Sequence, residues 1–152
     1  MRKKILISLA VCTLFIIVKC GTNTQPKNTT QTVVIPKDTA EKGIGIFKEV
    51  QLTHPLDEGM VSSGEHIYKA KCIACHKLTT EKLVGPGWQG ETNRRTPEWI
   101  MNAVTNTNVT LDSGLVAQQL MEVCVVRMPN QNLSNEDARY SLEFMRKNDG
   151  KN

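Results

Sequence analysis

The segment Cys72-Ile73-Ala74-Cys75-His76 decides how the rest of this sequence is interpreted. Two thiols separated by two residues and followed at once by an imidazole form the pattern of a c-type haem attachment site. The spacing lets the chain turn so that both sulfurs meet neighbouring haem vinyl groups, while the imidazole is brought beneath the iron. We therefore predict that Cys72 and Cys75 attach one haem c covalently and that His76 is an axial iron ligand.

Two other kinds of site also use a pair of cysteines two residues apart. A thioredoxin-type redox pair would need alternating strands and helices, and a zinc site would need a second pair of ligands at comparable spacing. Beyond the first twenty residues only Cys124, His54 and His66 remain for such a pair, so both alternatives are weaker. We interpret the two histidines as surface or capping side chains. Cys124 is predicted to be a buried thiol that packs like a small hydrophobe, with a disulfide between two copies as the alternative.

The amino-terminal end has the pattern of an export signal. A basic cluster precedes an apolar run from Ile5 to Val18, about the length of a signal core and short of a membrane span. We predict that residues 1–19 are a signal peptide of the lipoprotein type, because the sequence up to Cys20 and Gly21 resembles a bacterial lipobox. Lys19 departs from that pattern, so a retained anchor or ordinary cleavage stays an alternative to lipidation of Cys20.

The sequence after the leader predicts a membrane-anchored protein on the periplasmic side. Residues 20–42 are mostly polar and have few apolar groups to bury, which is typical of a flexible tether.

Four of the nineteen Lys and Arg residues lie within the first nineteen positions, and the rest of the chain has 15 basic and 15 acidic residues. Nucleic-acid binding, which depends on a clustered basic face, is therefore not expected.

One domain follows the tether, and its helices have recognisable start signals. Residues 43–60 predict an extended arm over the core, and residues 61–149 a helical domain. Ser62 and Glu65 have the spacing of a capping box, which predicts a first helix reaching about Cys72. Thr96 before Pro97 predicts a helix that runs to about Thr105.

Two further helices are predicted in the second half of the domain. Asp112 or Ser113 can cap a helix that runs through Val123. Ser134, with Asp137 three residues on, predicts the start of a closing amphipathic helix. The domain is therefore expected to be all-α.

Several motifs occur in the order and approximate spacing of class I c-type cytochromes. They are the Cys-Ile-Ala-Cys-His segment, Leu78, the turn Val84-Gly85-Pro86-Gly87-Trp88, and Met128-Pro129. The resemblance covers about residues 58–148. The sequence is most similar to small single-haem lipoprotein cytochromes of Bacteroidetes, in which a Pro-Glu-Trp-Ile helix and a Met-Pro-Asn-Gln-Asn loop also occur. The resemblance implies four to five helices around one covalent haem with His and Met axial ligands, and a close approach of the closing helix to Gly64 and Tyr68.

The resemblance also assigns roles around the haem. In the family a proline at the position of Pro86 offers its carbonyl to the other nitrogen of the proximal imidazole. Met128 is the predicted second axial ligand because it lies in an irregular loop, whereas Met101, Met121 and Met145 lie in helices and Met60 precedes the haem motif. Trp99 is expected to form part of the pocket wall.

Arg94 and Arg95 are candidates to pair with haem propionates, although charged loop residues are often simply solvated.

The resulting hypothesis is an electron carrier, not an enzyme, that shuttles electrons between respiratory redox proteins at a membrane. The resemblance suggests a terminal reductase such as nitrous oxide reductase as the electron acceptor. The alternative is a haem-based sensor or haem enzyme subunit with a displaceable sixth ligand.

Overall fold

The computed structural model describes residues 42–124 and 126–152, and this part of the chain is helical. Six α-helices follow one another within these ranges, and no strand is formed there. They are α1 (Glu58–Ile67), α2 (Glu91–Arg94), α3 (Pro97–Thr105), α4 (Thr107–Ser113), α5 (Leu115–Val123) and α6 (Asn135–Asn148). The all-α prediction is confirmed. Short helices α2 and α4 raise the number above the expected four to five. None of the described helices has the length and apolar character needed to cross a membrane.

Helix α1 starts earlier than the sequence suggested. The Asp57 side chain accepts a hydrogen bond from the backbone N–H of Met60 at 2.9 Å and thereby caps the helix. Ser62 lies within the second turn, so its predicted role as N-cap is wrong, and the predicted boundary between residues 60 and 61 falls inside α1. Leu56, directly before the cap, is buried in one cluster with Val61 of the helix, as in a hydrophobic staple.

The carboxyl end of α1 widens into a π-helical turn, Tyr68–Cys72, that carries the chain into the cysteine motif. The backbone N–H of Ile73 donates to the carbonyl of Tyr68 at 3.0 Å, which is the five-residue spacing of a π-helix. The motif itself then turns tightly, because the N–H groups of Cys75 and His76 both donate to the carbonyl of Cys72. The π-helical turn was not predicted.

Helices α1 and α6 pack most extensively against each other. A Cβ atom on Gly64 would lie 2.1 Å from the carbonyl oxygen of Tyr140 and 2.7 Å from Cβ of Phe144. The absence of a side chain at Gly64 therefore permits the close crossing. Tyr68 packs against Phe144 with tilted rings whose centroids are 5.6 Å apart, so the expectation for Gly64 and Tyr68 is confirmed.

Caps of the later helices agree with the sequence in two cases and differ in one. Thr96 accepts from the N–H of Trp99 and caps α3, and Ser134 and Asp137 form the predicted capping box of α6. Gly114 precedes α5 without a side-chain cap, and Asp112 and Ser113 belong to α4 instead. The prediction that either would cap α5 is therefore wrong.

Residues 43–57 form no α-helix and are fastened to the core by buried polar side chains. Asn102 is fully buried; its amide donates to the carbonyls of Lys42 and Phe47 at 2.8 and 2.9 Å, and its oxygen accepts from the Phe47 N–H at 3.0 Å. Glu98 accepts from the N–H of Val50 at 2.9 Å. Phe47 and Val50 pack against the core formed by α3 and α6.

The carboxylate of Glu143 on α6 fastens the other end of this segment. It is fully buried and accepts from the Thr53 hydroxyl at 2.8 Å, from Arg139 at 2.5 Å and from Arg146 at 2.9 Å. Burial acts to raise the pKa of Glu143, but the hydrogen bonds from Arg139, Thr53 and Arg146 outweigh it and lower the pKa below its ordinary value. The buried charge is therefore ionised and compensated.

Substitution of Gly64 by Ala tests the crossing of α1 and α6. The new methyl group would overlap the backbone of α6, and we expect the free energy of unfolding to fall by about 1–3 kcal/mol. Urea denaturation of the mature protein measures this change. Gly59→Ala in the same helix is the matched control, since Ala is the better helix former and only the Asp57 side chain lies nearby. Equal stability of the two variants would contradict the packing argument.

Candidate haem site

The cysteine motif borders a cavity that is lined mainly by apolar side chains. The cavity lies among the cysteine motif, the turn 84–88, helices α3 to α6 and the loop that follows α5. Cys72, Cys75 and His76 line it, as do Pro86, Trp99 and Met128 among the other predicted site residues. The structure therefore brings together, around one cavity, six of the eight predicted haem-site side chains.

The imidazole of His76 is held by the turn that follows it. Its Nδ1 lies 2.8 Å from the carbonyl oxygen of Pro86, so Nδ1–H donates to that carbonyl and Nε2 is left free to bind a metal. Tyr68 adds a second restraint, because its hydroxyl donates to the His76 carbonyl at 2.8 Å. The contact between His76 and Pro86 that the family resemblance implied is thus present.

Gly85 is required by the closeness of this turn to the imidazole. A Cβ at Gly85 would lie 2.5 Å from Cε1 and 2.9 Å from Nδ1 of His76. The backbone N–H of Gly85 also donates to the carbonyl of Cys75 at 2.9 Å, which ties the turn to the cysteine motif. Trp88 closes the packing, with its ring 5.9 Å from the His76 ring and 5.1 Å from that of Tyr68.

The two cysteines differ in their surroundings. Cys72 is buried, and burial raises the pKa of its thiol to about 11, although the nearby charge of Lys71 opposes that shift. Cys75 is partly exposed. No disulfide joins them, and within the described residues no group of three or more His, Cys, Asp or Glu side chains is arranged to hold a metal ion.

Comparison with known proteins decides the family. A family model described as "Cytochrome C oxidase, cbb3-type, subunit III" matches residues 59–139. The chain therefore belongs to the c-type cytochromes. No curated protein matches the sequence.

Solved structures of c-type cytochromes have the same fold. A cytochrome c from Rhodothermus marinus is 33% identical, with a TM-score of 0.70 over 74% of this chain and 97% of that one. An engineered form of the R. marinus cytochrome, Rma TDE, is 32% identical over the same shares, with a TM-score of 0.69. A further structure of the engineered form, bound to a carbene intermediate (1-ethoxy-1-oxopropan-2-ylidene), is also 32% identical over the same shares, with a TM-score of 0.66. The expected cytochrome c fold is confirmed.

The cofactor of this family is covalently bound haem c, and the residues present fit it. Two cysteines line an apolar cavity, beside an imidazole whose Nδ1 is already hydrogen-bonded to the Pro86 carbonyl. A turn without a side chain at Gly85 gives that imidazole its room. When bound, haem supplies a one-electron iron couple whose potential depends on its axial ligands.

The second axial ligand is not settled by which side chains surround the cavity. Met128, Met121 and Met145 all line it, while Met101 lies in the core and not in the cavity wall. Met128 alone among the three lies in an irregular loop, between α5 and α6. Its assignment as axial ligand stays a prediction. Cys124 also lines the cavity, and it is partly buried where a buried thiol was predicted.

Arg94 and Arg95 are placed beside the cavity and do not line it. Both pair with the carboxylate of Glu91, Arg94 at 2.6 Å and Arg95 at 3.6 Å, and the Arg95 guanidinium lies 5.0 Å over the Trp99 ring. Their pairing with propionates stays a prediction. His54 and His66 are exposed, as expected.

Three polar residues that line the cavity were not predicted from the sequence. Glu91 lines the cavity, and so do Thr110 and Ser141, whose buried hydroxyl oxygens have no hydrogen-bond partner among the described residues. Glu91, the first residue of α2, lies three residues after Trp88 of the recognised turn. Nothing in the sequence marked the two hydroxyls as facing a cofactor, because their burial depends on how α4 and α6 pack.

Gly85→Ala tests the room made for His76. The added methyl group would push the imidazole away from the Pro86 carbonyl, so we expect a loss of about 1–3 kcal/mol in stability and a shifted reduction potential. Denaturation and redox titration of the mature protein measure both effects. Gly59→Ala, remote from the cavity, is the control. Unchanged stability and potential in Gly85→Ala would contradict the argument.

Proposed function

We propose that this c-type cytochrome is a single-haem electron carrier whose iron is held between His76 and Met128. The observation that carries the proposal is the shared cavity: the oriented imidazole, both cysteines and the Met128 loop border one apolar space. One cysteine motif supports one haem. The function requires neither a general acid or base nor a nucleophile from the protein.

The protein's own contribution is to keep the site rigid and dry. Pro86 and Tyr68 hold His76, and the apolar wall that includes Trp99 and Ile100 excludes water. Two protein ligands that stay in place leave little to rearrange when the charge of the iron changes. A thioether ligand also raises the reduction potential compared with a second imidazole. These properties suit transfer of single electrons to docked partners.

The proposed setting is the periplasmic side of a membrane. It rests on the basic and apolar leader, on Cys20 in its lipobox-like sequence and on the polar stretch 20–42, all of which lie outside the described residues except Lys42. A protein anchored by a lipid at Cys20 and a flexible tether would exchange electrons with respiratory proteins at the membrane surface. Resemblance to the Bacteroidetes lipoprotein cytochromes supports this proposal, and a terminal reductase such as nitrous oxide reductase is a candidate acceptor.

A second candidate is a haem-based sensor or haem enzyme subunit with a displaceable sixth ligand. The supporting observation is the engineered R. marinus cytochrome, whose solved structure holds a carbene intermediate. In this chain, displacement of Met128 would open the sixth coordination position of the iron. The two candidates therefore differ in whether Met128 stays bound.

Met128→Ala tests whether Met128 is the sixth ligand of the iron. If Met128 is a permanent ligand, the wild-type ferric protein shows the weak far-red absorption band of iron–thioether ligation, and the variant loses the band and has a lower potential. Met121→Leu and Met145→Leu are matched controls, because they remove the other two cavity thioethers while nearly conserving volume. A wild-type band that disappears in Met121→Leu instead would overturn the assignment.

Cys20→Ala tests the proposed anchor. We expect the wild-type protein to sediment with membranes and to carry covalent haem after denaturing electrophoresis. In the variant the membrane-bound fraction should fall by about tenfold or more, because a lipid anchor is stabilised by the burial of every CH₂ group. Cys12→Ala is the matched control within the leader. Membrane association that survives in Cys20→Ala would favour a retained leader as the anchor.

A further inference from the structure

The loop that carries Met128 has little structure of its own. We define the Met loop as residues 126–133, which lie between α5 and α6 in an irregular conformation. Its internal bonds are local: the Gln131 side chain donates to the Pro129 carbonyl, and the Asn132 N–H to the Asn130 side chain. Such bonds shape the loop but do not attach it to the protein. Its position must therefore be set by contacts with other elements.

One attachment lies immediately before Met128. The Arg127 guanidinium forms an ion pair with Asp112 at 2.8 Å and donates to the Asn108 carbonyl at 3.2 Å. Asp112 and Asn108 both belong to α4, a helix that also lines the cavity. Arg127 therefore ties the start of the Met loop to the cavity wall.

A second attachment lies three residues after Met128. The Lys71 ammonium group donates to the Gln131 carbonyl at 3.0 Å. Lys71 directly precedes Cys72 in the π-helical turn and lines the cavity. The neighbouring Lys69 differs, since it pairs with Glu65 within its own helical segment. Lys71 thus joins the haem attachment segment to the far side of the Met loop.

We propose that Lys71 and Arg127 are positioning residues that clasp the Met loop on both sides of Met128 and hold its sulfur at the sixth coordination position. The inference rests on the proposed assignment of Met128 as axial ligand. Neither side chain needs to touch the iron. Each acts by lowering the population of conformations in which the loop has swung out and the sixth position is open.

The clasps have a measurable consequence for foreign ligands. A small ligand such as imidazole binds the iron only when Met128 has left, so its apparent affinity is proportional to the fraction of open molecules. Removing a clasp raises that fraction and strengthens imidazole binding by the same factor. Arg127 and Asp112 are 41% and 62% exposed, so the ion pair is partly screened by water and each clasp contributes only a few-fold.

Imidazole titration of the mature ferric protein tests the inference. We expect apparent imidazole affinity to rise about 2- to 5-fold in Lys71→Met and in Arg127→Met, with the factors multiplying in the double variant. Lys69→Met is the matched control and should leave the affinity unchanged. Lys71→Arg keeps a donor at the same place and should restore most of the wild-type behaviour, which a general loss of stability would not do.

Two further readouts keep the outcomes distinct. Added salt at fixed pH should strengthen imidazole binding to the wild-type protein by screening the Arg127–Asp112 pair, even if a variant fails to fold. Suppose that the wild-type protein shows the thioether band but the imidazole affinities of both single variants and the double variant equal that of Lys69→Met. The positioning roles of Lys71 and Arg127 are then wrong, while the assignment of Met128 stands. A wild-type protein without the band would instead overturn the assignment of Met128 and the inference with it.

Discussion

The orientation of one imidazole is the constraint on which the rest of the site depends. His76 can present Nε2 to a metal only because the Pro86 carbonyl holds Nδ1 at 2.8 Å. That carbonyl reaches the ring because Gly85 has no side chain, and the turn is itself bonded to the carbonyl of Cys75. One continuous backbone segment, residues 72–86, therefore carries both haem-attachment cysteines, the His76 ligand and the Pro86 carbonyl that orients it.

Packing between α1 and α6 keeps this segment in place. The crossing at Gly64 brings α6 against α1, so that Tyr68 packs between Phe144 and Trp88 and reaches the His76 carbonyl with its hydroxyl. The same aromatic ring thus serves the helix crossing and the haem motif. The stability of the fold and the geometry of His76 are therefore coupled, because both depend on the position of the Tyr68 side chain.

Features encoded within a few neighbouring residues could be predicted from the sequence. The cysteine motif and the caps at Thr96 and Ser134 are of this kind, and the contact between His76 and Pro86 followed from family resemblance. Features set by distant contacts could not be predicted. The π-helical turn and the two cavity hydroxyls without a hydrogen-bond partner among the described residues depend on which elements meet in space. The capping-box pattern at Ser62 misled because the stronger start signal lay five residues earlier.

The buried bonds of residues 43–57 have a consequence for the size of the cooperative unit. Asn102 can lose its partners in this segment only by becoming an uncompensated polar group inside the protein, which is energetically costly. Glu143 would keep Arg139 and Arg146 but lose the hydrogen bond from the Thr53 hydroxyl. The segment therefore separates from the helices only when α3 and α6 also open. The cooperative unit accordingly reaches from about residue 42 to Arg146 in the last turn of α6, beyond both ends of the region that the family model matches.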